Sequence, residues 1–137
     1  MSAHIDHVPR WVRIAVGILA FVNIAFGIMC YLNTGVLFPH PTGIDLTNVF
    51  IKHANYEFAS RNLAIGLALG FVTIIRGAPE ALVILTIVRA LIEIQALIIA
   101  AVEGSINAFL LIPVLFLVLE IFIIKTLIGV IKKEEEE

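Results

Sequence analysis

Three ionisable residues stand inside long apolar runs: Arg89 and Glu93, four residues apart, and Glu120 in the run that follows. Insertion scales put a lone charge at mid-bilayer at about 2.5–3.5 kcal/mol, so charges at such depth turn inward and find partners. A guanidinium between two carboxylates can do two kinds of work. It can clamp helices in register, or it can form a polar site for a proton, a quinone headgroup or another lipophile. Two carboxylates and one guanidinium do not balance. Either a further cation reaches the site, or one of Glu93 and Glu120 holds a proton.

A second polar set lies outside the most apolar stretches. His53, Glu57 and Arg61 follow one another at four-residue spacing, which places them on one helical stripe, with Glu57 the natural partner of Arg61. Histidine and carboxylate are ligand types for zinc or iron, and His40 and Asp45 are near in sequence. Spacing alone supports a metal there, and nothing resembles H-E-x-x-H, so a solvated helix face is expected and no metal site is assigned. His4 and His7 fall in a terminal segment. Cys30 is the single cysteine, which excludes an intrachain disulfide, a CxxC redox pair and a thiolate metal site. No phosphate loop, nucleophile elbow or Rossmann glycine pattern is present, and no basic patch suits nucleic acid. No catalytic residue is assigned, and an enzyme is not the expected reading.

The elements that must position these residues are hydrophobic helices. The chain has 137 residues, 61% hydrophobic and only 15% charged, with a mean hydropathy of +1.06. Soluble domains run at about half apolar and a quarter charged, so this is an integral membrane protein. Four apolar segments, 11–32, 59–75, 81–102 and 107–131, can each cross about 30 Å of hydrocarbon, the second only barely. The expected fold is all-α: a single-domain four-helix membrane bundle over residues 1–137. The first run is too long for a signal-peptide core and stays a span. Between spans one and two lies the one long loop, 33–58. Its Phe38-Pro39-His40-Pro41 stretch should be extended, and Thr42 and Asp45 should cap a helix starting near Leu46. Arg10, Arg13, Arg76, Lys125, Lys132 and Lys133 fall on one side, against Lys52 and Arg61 on the other. The positive-inside rule then puts both termini in the cytoplasm and the long loop outside, in a cell (inner) membrane. The terminal Glu134 to Glu137 run reads as a solvated end, with a docking tail as the alternative.

Tight connections at 76–80 and 103–105 make spans two, three and four antiparallel neighbours and allow a depth calculation. Reflection about Gly104 sets Arg89 level with Leu119 or Glu120. Reflection about Ala78 sets Gly66 level with Ala90 and Gly70 level with Thr86. Two small-residue stripes, Gly66-x-x-x-Gly70 and Thr86-x-x-x-Ala90, are thus expected to pack closely within the chain, with a homodimer seam as the alternative. On a helical wheel Arg89, Glu93, Ala96, Ala100 and Glu103 share a stripe, as do Phe109, Pro113, Phe116, Glu120, Ile124 and Leu127. Facing stripes place Arg89 between Glu93 and Glu120, with Asn23 of span one at a depth to join them.

The segment Arg61-Asn62-Leu63-Ala64-Ile65-Gly66-Leu67-Ala68-Leu69-Gly70, a short hairpin, and then Arg89-Ala90-Leu91-Ile92-Glu93 resemble the small four-span membrane proteins of the broad DoxX-like group. The resemblance covers spans two and three best. It implies the four-helix fold, and it marks Arg61, Arg89 and Glu93 as positions to watch. One member of that group is associated with a thiosulfate:quinone oxidoreductase; the cysteine pair that sulfur chemistry would use is absent here. The functional expectation is a non-catalytic accessory or structural subunit of a larger membrane complex. Its partners would be membrane lipids and other membrane subunits or a second copy. A quinone- or lipophile-binding component of a redox system, with a bound lipid or quinone at the Arg–Glu cluster, is the alternative. A proton-coupled transporter ranks behind both.

Overall fold

The computed structural model describes residues 8–33, 45–76, 78–102, 104 and 108–136. The Phe38–Pro41 stretch, Thr42, His4, His7, His40, Gly77 and Glu103 lie outside the described residues. Four helices follow in order: α1 (Arg10–Leu32), α2 (Val49–Phe71), α3 (Pro79–Val102) and α4 (Leu111–Glu136). A π-helical turn, Val72–Arg76, extends α2, and a 3-10 turn, Ala108–Leu110, leads into α4. Each helix is long and apolar enough to cross a membrane.

Local chemistry explains the helix ends. The Pro9 carbonyl accepts the amides of Val12 and Arg13 at 3.0 and 3.2 Å and so opens α1. Pro79 takes the first position of α3, where its missing N–H costs nothing, and Leu82 donates to the Ala78 carbonyl at 3.1 Å. Gly104 ends α3 with φ of +67°, a conformation that glycine adopts without a Cβ penalty.

The start of α2 differs from the sequence expectation. Asp45 Oδ1 accepts the Thr47 amide at 2.9 Å and its hydroxyl at 2.6 Å, closing a turn. Asn48 Oδ1 then accepts the Phe50 amide at 2.9 Å. Asn48 is therefore the N-cap, and Asp45 spends its carboxylate one turn earlier. Both residue types cap, and the turn decides between them. Helix begins at Val49, three residues after the expected start near Leu46, and runs on through the span expected from 59. At the other end α4 continues through Lys132 and Lys133 to Glu136, past the expected 131.

The chain packs as two compact units, one of Met1–Ala15 with Val72–Glu137 and the other of Val16–Phe71. In the second unit α1 and α2 run antiparallel along glycine contacts. An alanine Cβ at Gly66 would sit 2.8 Å from the Ile24 nitrogen and 2.9 Å from the Ala20 carbonyl oxygen. At Gly27 it would sit 3.0 Å from both the Ala59 carbonyl oxygen and the Leu63 nitrogen. Gly66 was expected level with Ala90, and Gly70 with Thr86; the backbone that the missing Cβ of Gly66 admits is that of α1. Gly70 has only ordinary contact, 3.9 Å to the Ala20 Cβ. Phe26 meets Phe58 edge-to-face and Tyr31 stacks on Tyr56, each at 5.8 Å between ring centroids. In the first unit α3 and α4 pack along each other. The inward face of α3 carries Leu82, Thr86, Arg89, Ala90 and Ala100. It passes through half-buried Leu97, whereas Ala96, expected on this stripe, is exposed.

Candidate functional site: a buried ion cluster between two helices

Arg89 and Glu120 are brought together by the α3–α4 turn. Thirteen residues before the end of α3 and nine after the start of α4, they stand at one level of an antiparallel pair. Arg89 Nη1 meets Glu120 Oε1 across the seam. Arg89 Nη2 holds Glu93 Oε1 at 3.1 Å within α3. The guanidinium carbon also lies 5.0 Å from the centroid of Phe116, one turn before Glu120, a cation–π contact. Arg89 is 5% exposed, Glu120 is fully buried, and the Glu93 side chain is 17% exposed. The triad of one guanidinium and two carboxylates is thus present in one place.

Hydrogen bonding within the triad is incomplete. Arg89 Nε and Glu120 Oε2 are buried and have no hydrogen-bond partner among the described residues. Buried polar atoms are ordinarily satisfied, so the two orphans leave one donor and one acceptor of the cluster with bonding capacity unused. Thr86 and Asn23 do not supply those bonds. The Thr86 hydroxyl donates to the Leu82 carbonyl at 2.6 Å, and Asn23 Nδ2 donates to the Leu19 carbonyl at 2.7 Å, each within its own helix. Sequence reasoning put Asn23 at a depth to join the cluster. It is buried, and its donor is used locally.

The stripe on α2 is a surface feature. His53 Nε2 lies 3.3 Å and Arg61 Nη2 3.6 Å from the two oxygens of Glu57, and all three side chains are more than half exposed. Exposed pairs of this kind contribute about 0–1 kcal/mol. Among the described residues no three histidine, cysteine, aspartate or glutamate side chains group as metal ligands.

Two residues escaped the sequence reading. Asn55 is fully buried in the α1–α2 unit, where its Nδ2 donates to the Cys30 carbonyl at 2.6 Å. The length of the first loop hid that pairing, since no register could be drawn across it. Gln95 is the other. It is exposed on α3 beside Leu91, Ile98 and Ile99, all more than half exposed, and its amide makes no hydrogen bond among the described residues. Its signal was available: a lone amide in an apolar run, on the face opposite Arg89.

Compared with family models, with curated proteins and with solved structures, the chain matches none.

Proposed function

We propose that this chain is an accessory subunit of a larger membrane assembly. In this reading its helices close into one four-helix bundle, its termini are cytoplasmic, and α3 is the face offered to a partner. The observation that carries the reading is Gln95. An unpaired amide facing hydrocarbon is unfavourable, and side-chain amides between transmembrane helices bond across interfaces at about 0.6–2 kcal/mol each. A partner helix laid over Leu91, Gln95 and Ile98 would satisfy that amide. The Arg89–Glu120 pair then acts as a clamp that keeps α3 and α4 in register so that this face stays in place. Gentle detergent extraction with mass measurement tests the proposal. A complex larger than a dimer is expected, and Gln95→Leu should release the chain from it. A monomer or dimer in the wild type sinks the idea.

A second reading rests on Arg89 Nε and Glu120 Oε2, which lack hydrogen-bond partners among the described residues. They suit a quinone headgroup or another lipophile with a carbonyl and a hydroxyl, in keeping with the resemblance to the DoxX-like group. Co-purification of a quinone with the wild type, lost in Glu120→Gln, is the result that would move the assignment to this reading.

A further inference from the structure

A cleft outside the ion cluster runs along the C-terminal half of α4. Phe122, Lys125, Thr126, Gly129 and Lys133 line it, with Pro9 from just ahead of α1, and its volume is about 470 Å³. Lys125, Gly129 and Lys133 follow at four-residue spacing, so they share one stripe with the glycine between the two cations. The helix backbone is bare at that point, since a Cβ on Gly129 would meet nothing within 4 Å. Phe122, almost a turn further into the span than Lys125, is 59% exposed.

The charge of this cleft is uncommitted. No acidic side chain lines it, and both lysines are exposed. Among the described residues neither lysine has an ion-pair or hydrogen-bond partner, Glu136 one turn beyond Lys133 included. The Thr126 hydroxyl is spent on the Phe122 carbonyl at 2.9 Å, which leaves the two ammonium groups as the donors a ligand would meet. Lys125 also stands within the apolar run 111–131, where the other charge, Glu120, is already held by Arg89. A cation in such a run is costly until it reaches the interface or an anion.

We propose that this cleft binds an anionic phospholipid, with its phosphate over Gly129 between Lys125 and Lys133 and an acyl chain along Phe122. Eight residues of helix separate the two lysines by about 12 Å, and their flexible four-carbon stems are long enough to bring both ammonium groups to the level of Gly129. Lysine binds phosphate as a point charge with three donors. The volume falls within the range of small-molecule sites, and basic pockets beside transmembrane helices are where anionic headgroups settle. A free phosphate would use the lysines but leave Phe122 uncovered; a lipid covers both. The proposal needs only that the chain spans a membrane, and is independent of the accessory-subunit role.

The test is native mass spectrometry of the full chain in a non-ionic detergent. It is titrated with dioleoylphosphatidylglycerol, with dioleoylphosphatidylcholine, or with inorganic phosphate. Phosphatidylglycerol adducts should dominate over phosphatidylcholine. Each cation near an anionic headgroup contributes on the order of fivefold in affinity, so Lys125→Gln/Lys133→Gln should weaken retention by about 30-fold. Lys52→Gln/Arg61→Gln, which removes two exposed cations from α2, should stay within about threefold of wild type. Equal loss in both double variants, equal retention of the zwitterionic lipid, or displacement by inorganic phosphate at matched concentration overturns the proposal. So does an acidic protein that co-purifies in place of lipid and is lost with the two lysines. If the glutamine pair fails to fold, Gly129→Phe fills the cleft with both lysines intact, its side chain entering open space. It too must lose the adduct, and unchanged retention overturns the assignment.

Discussion

Arg89 of α3 and Glu120 of α4 form an ion pair that is 5% exposed on one side and fully buried on the other. The two partners are not equivalent. Arg89 keeps Glu93 at 3.1 Å if Glu120 is removed, whereas removal of Arg89 leaves two carboxylates side by side. Breaking a buried pair costs about 3–5 kcal/mol, chiefly because the other charge is stranded. Arg89→Leu should fall in that range. Glu120→Leu should cost less, and Arg89→Leu/Glu120→Leu should cost less than the sum of the singles. Unfolding in mixed micelles of rising sodium dodecyl sulfate, followed by circular dichroism, measures all three. Single substitutions that each cost under about 1 kcal/mol would remove the clamp from the account.

Legibility followed the length of the connections. The α3–α4 turn is short, so a count from Gly104 set Arg89 level with Glu120, and the pair is there. Glu93 was legible for a simpler reason: four residues on a helix is a fixed distance. Gly66 was legible as a site of close approach but not for its neighbour. A glycine reports that some backbone comes near, and its sequence does not say which. Asn23 and Asn55 belong to the helices flanking the long loop, where no register can be counted. There the amide that mattered was Asn55, and Asn23 turned to its own helix. Asp45 and Asn48 show the same limit at short range, since two residues with equal capping chemistry stand three apart.

Asn55 should prove a larger contributor to stability than any residue of the exposed stripe beside it. Its Nδ2 satisfies the Cys30 carbonyl, which lies in the last turn of α1 where carbonyls have no helical partner. Asn55→Leu removes the donor and leaves that buried acceptor bare, at about 1–3 kcal/mol. His53→Ala and Glu57→Ala should each stay within about 1 kcal/mol. The same unfolding titration ranks them. An Asn55→Leu protein as stable as Glu57→Ala would mean that the carbonyl is satisfied by other means.

Two glycines set up a contrast of opposite sign. A Cβ at Gly66 meets backbone atoms of Ala20 and Ile24 under 3.0 Å, so α1 and α2 must separate to admit it. Gly66→Ala should destabilise by about 1–3 kcal/mol, the usual cost of overpacking. At Gly129 a Cβ meets nothing within 4 Å. There alanine relieves the helical penalty of glycine, so Gly129→Ala should be neutral or stabilising by up to about 1 kcal/mol. Melting midpoints of the two variants, measured in one detergent, decide the matter. A Gly66→Ala protein that melts with the wild type would show that α1 and α2 admit a Cβ there without separating.

The turn before α2 should carry an acid limit. Hydrogen bonds from the Thr47 hydroxyl first, and then the Thr47 amide, hold the Asp45 carboxyl below its ordinary range. A group whose folded value is depressed stabilises the fold above its unfolded value and loses that contribution as pH falls through the folded one. The turn is therefore intact at neutral pH and through the ordinary carboxylate range. It opens only at more acidic pH, with the Asn48 amide then losing its 3.0 Å bond to the Asp45 carbonyl. Thr47→Val removes the hydroxyl donor and keeps the amide, so the Asp45 midpoint should rise part of the way back. Carboxyl-carbon NMR titration of wild type and Thr47→Val reads both midpoints directly. Coincident curves would show that the hydroxyl contributes nothing, and that the backbone amide alone sets the turn.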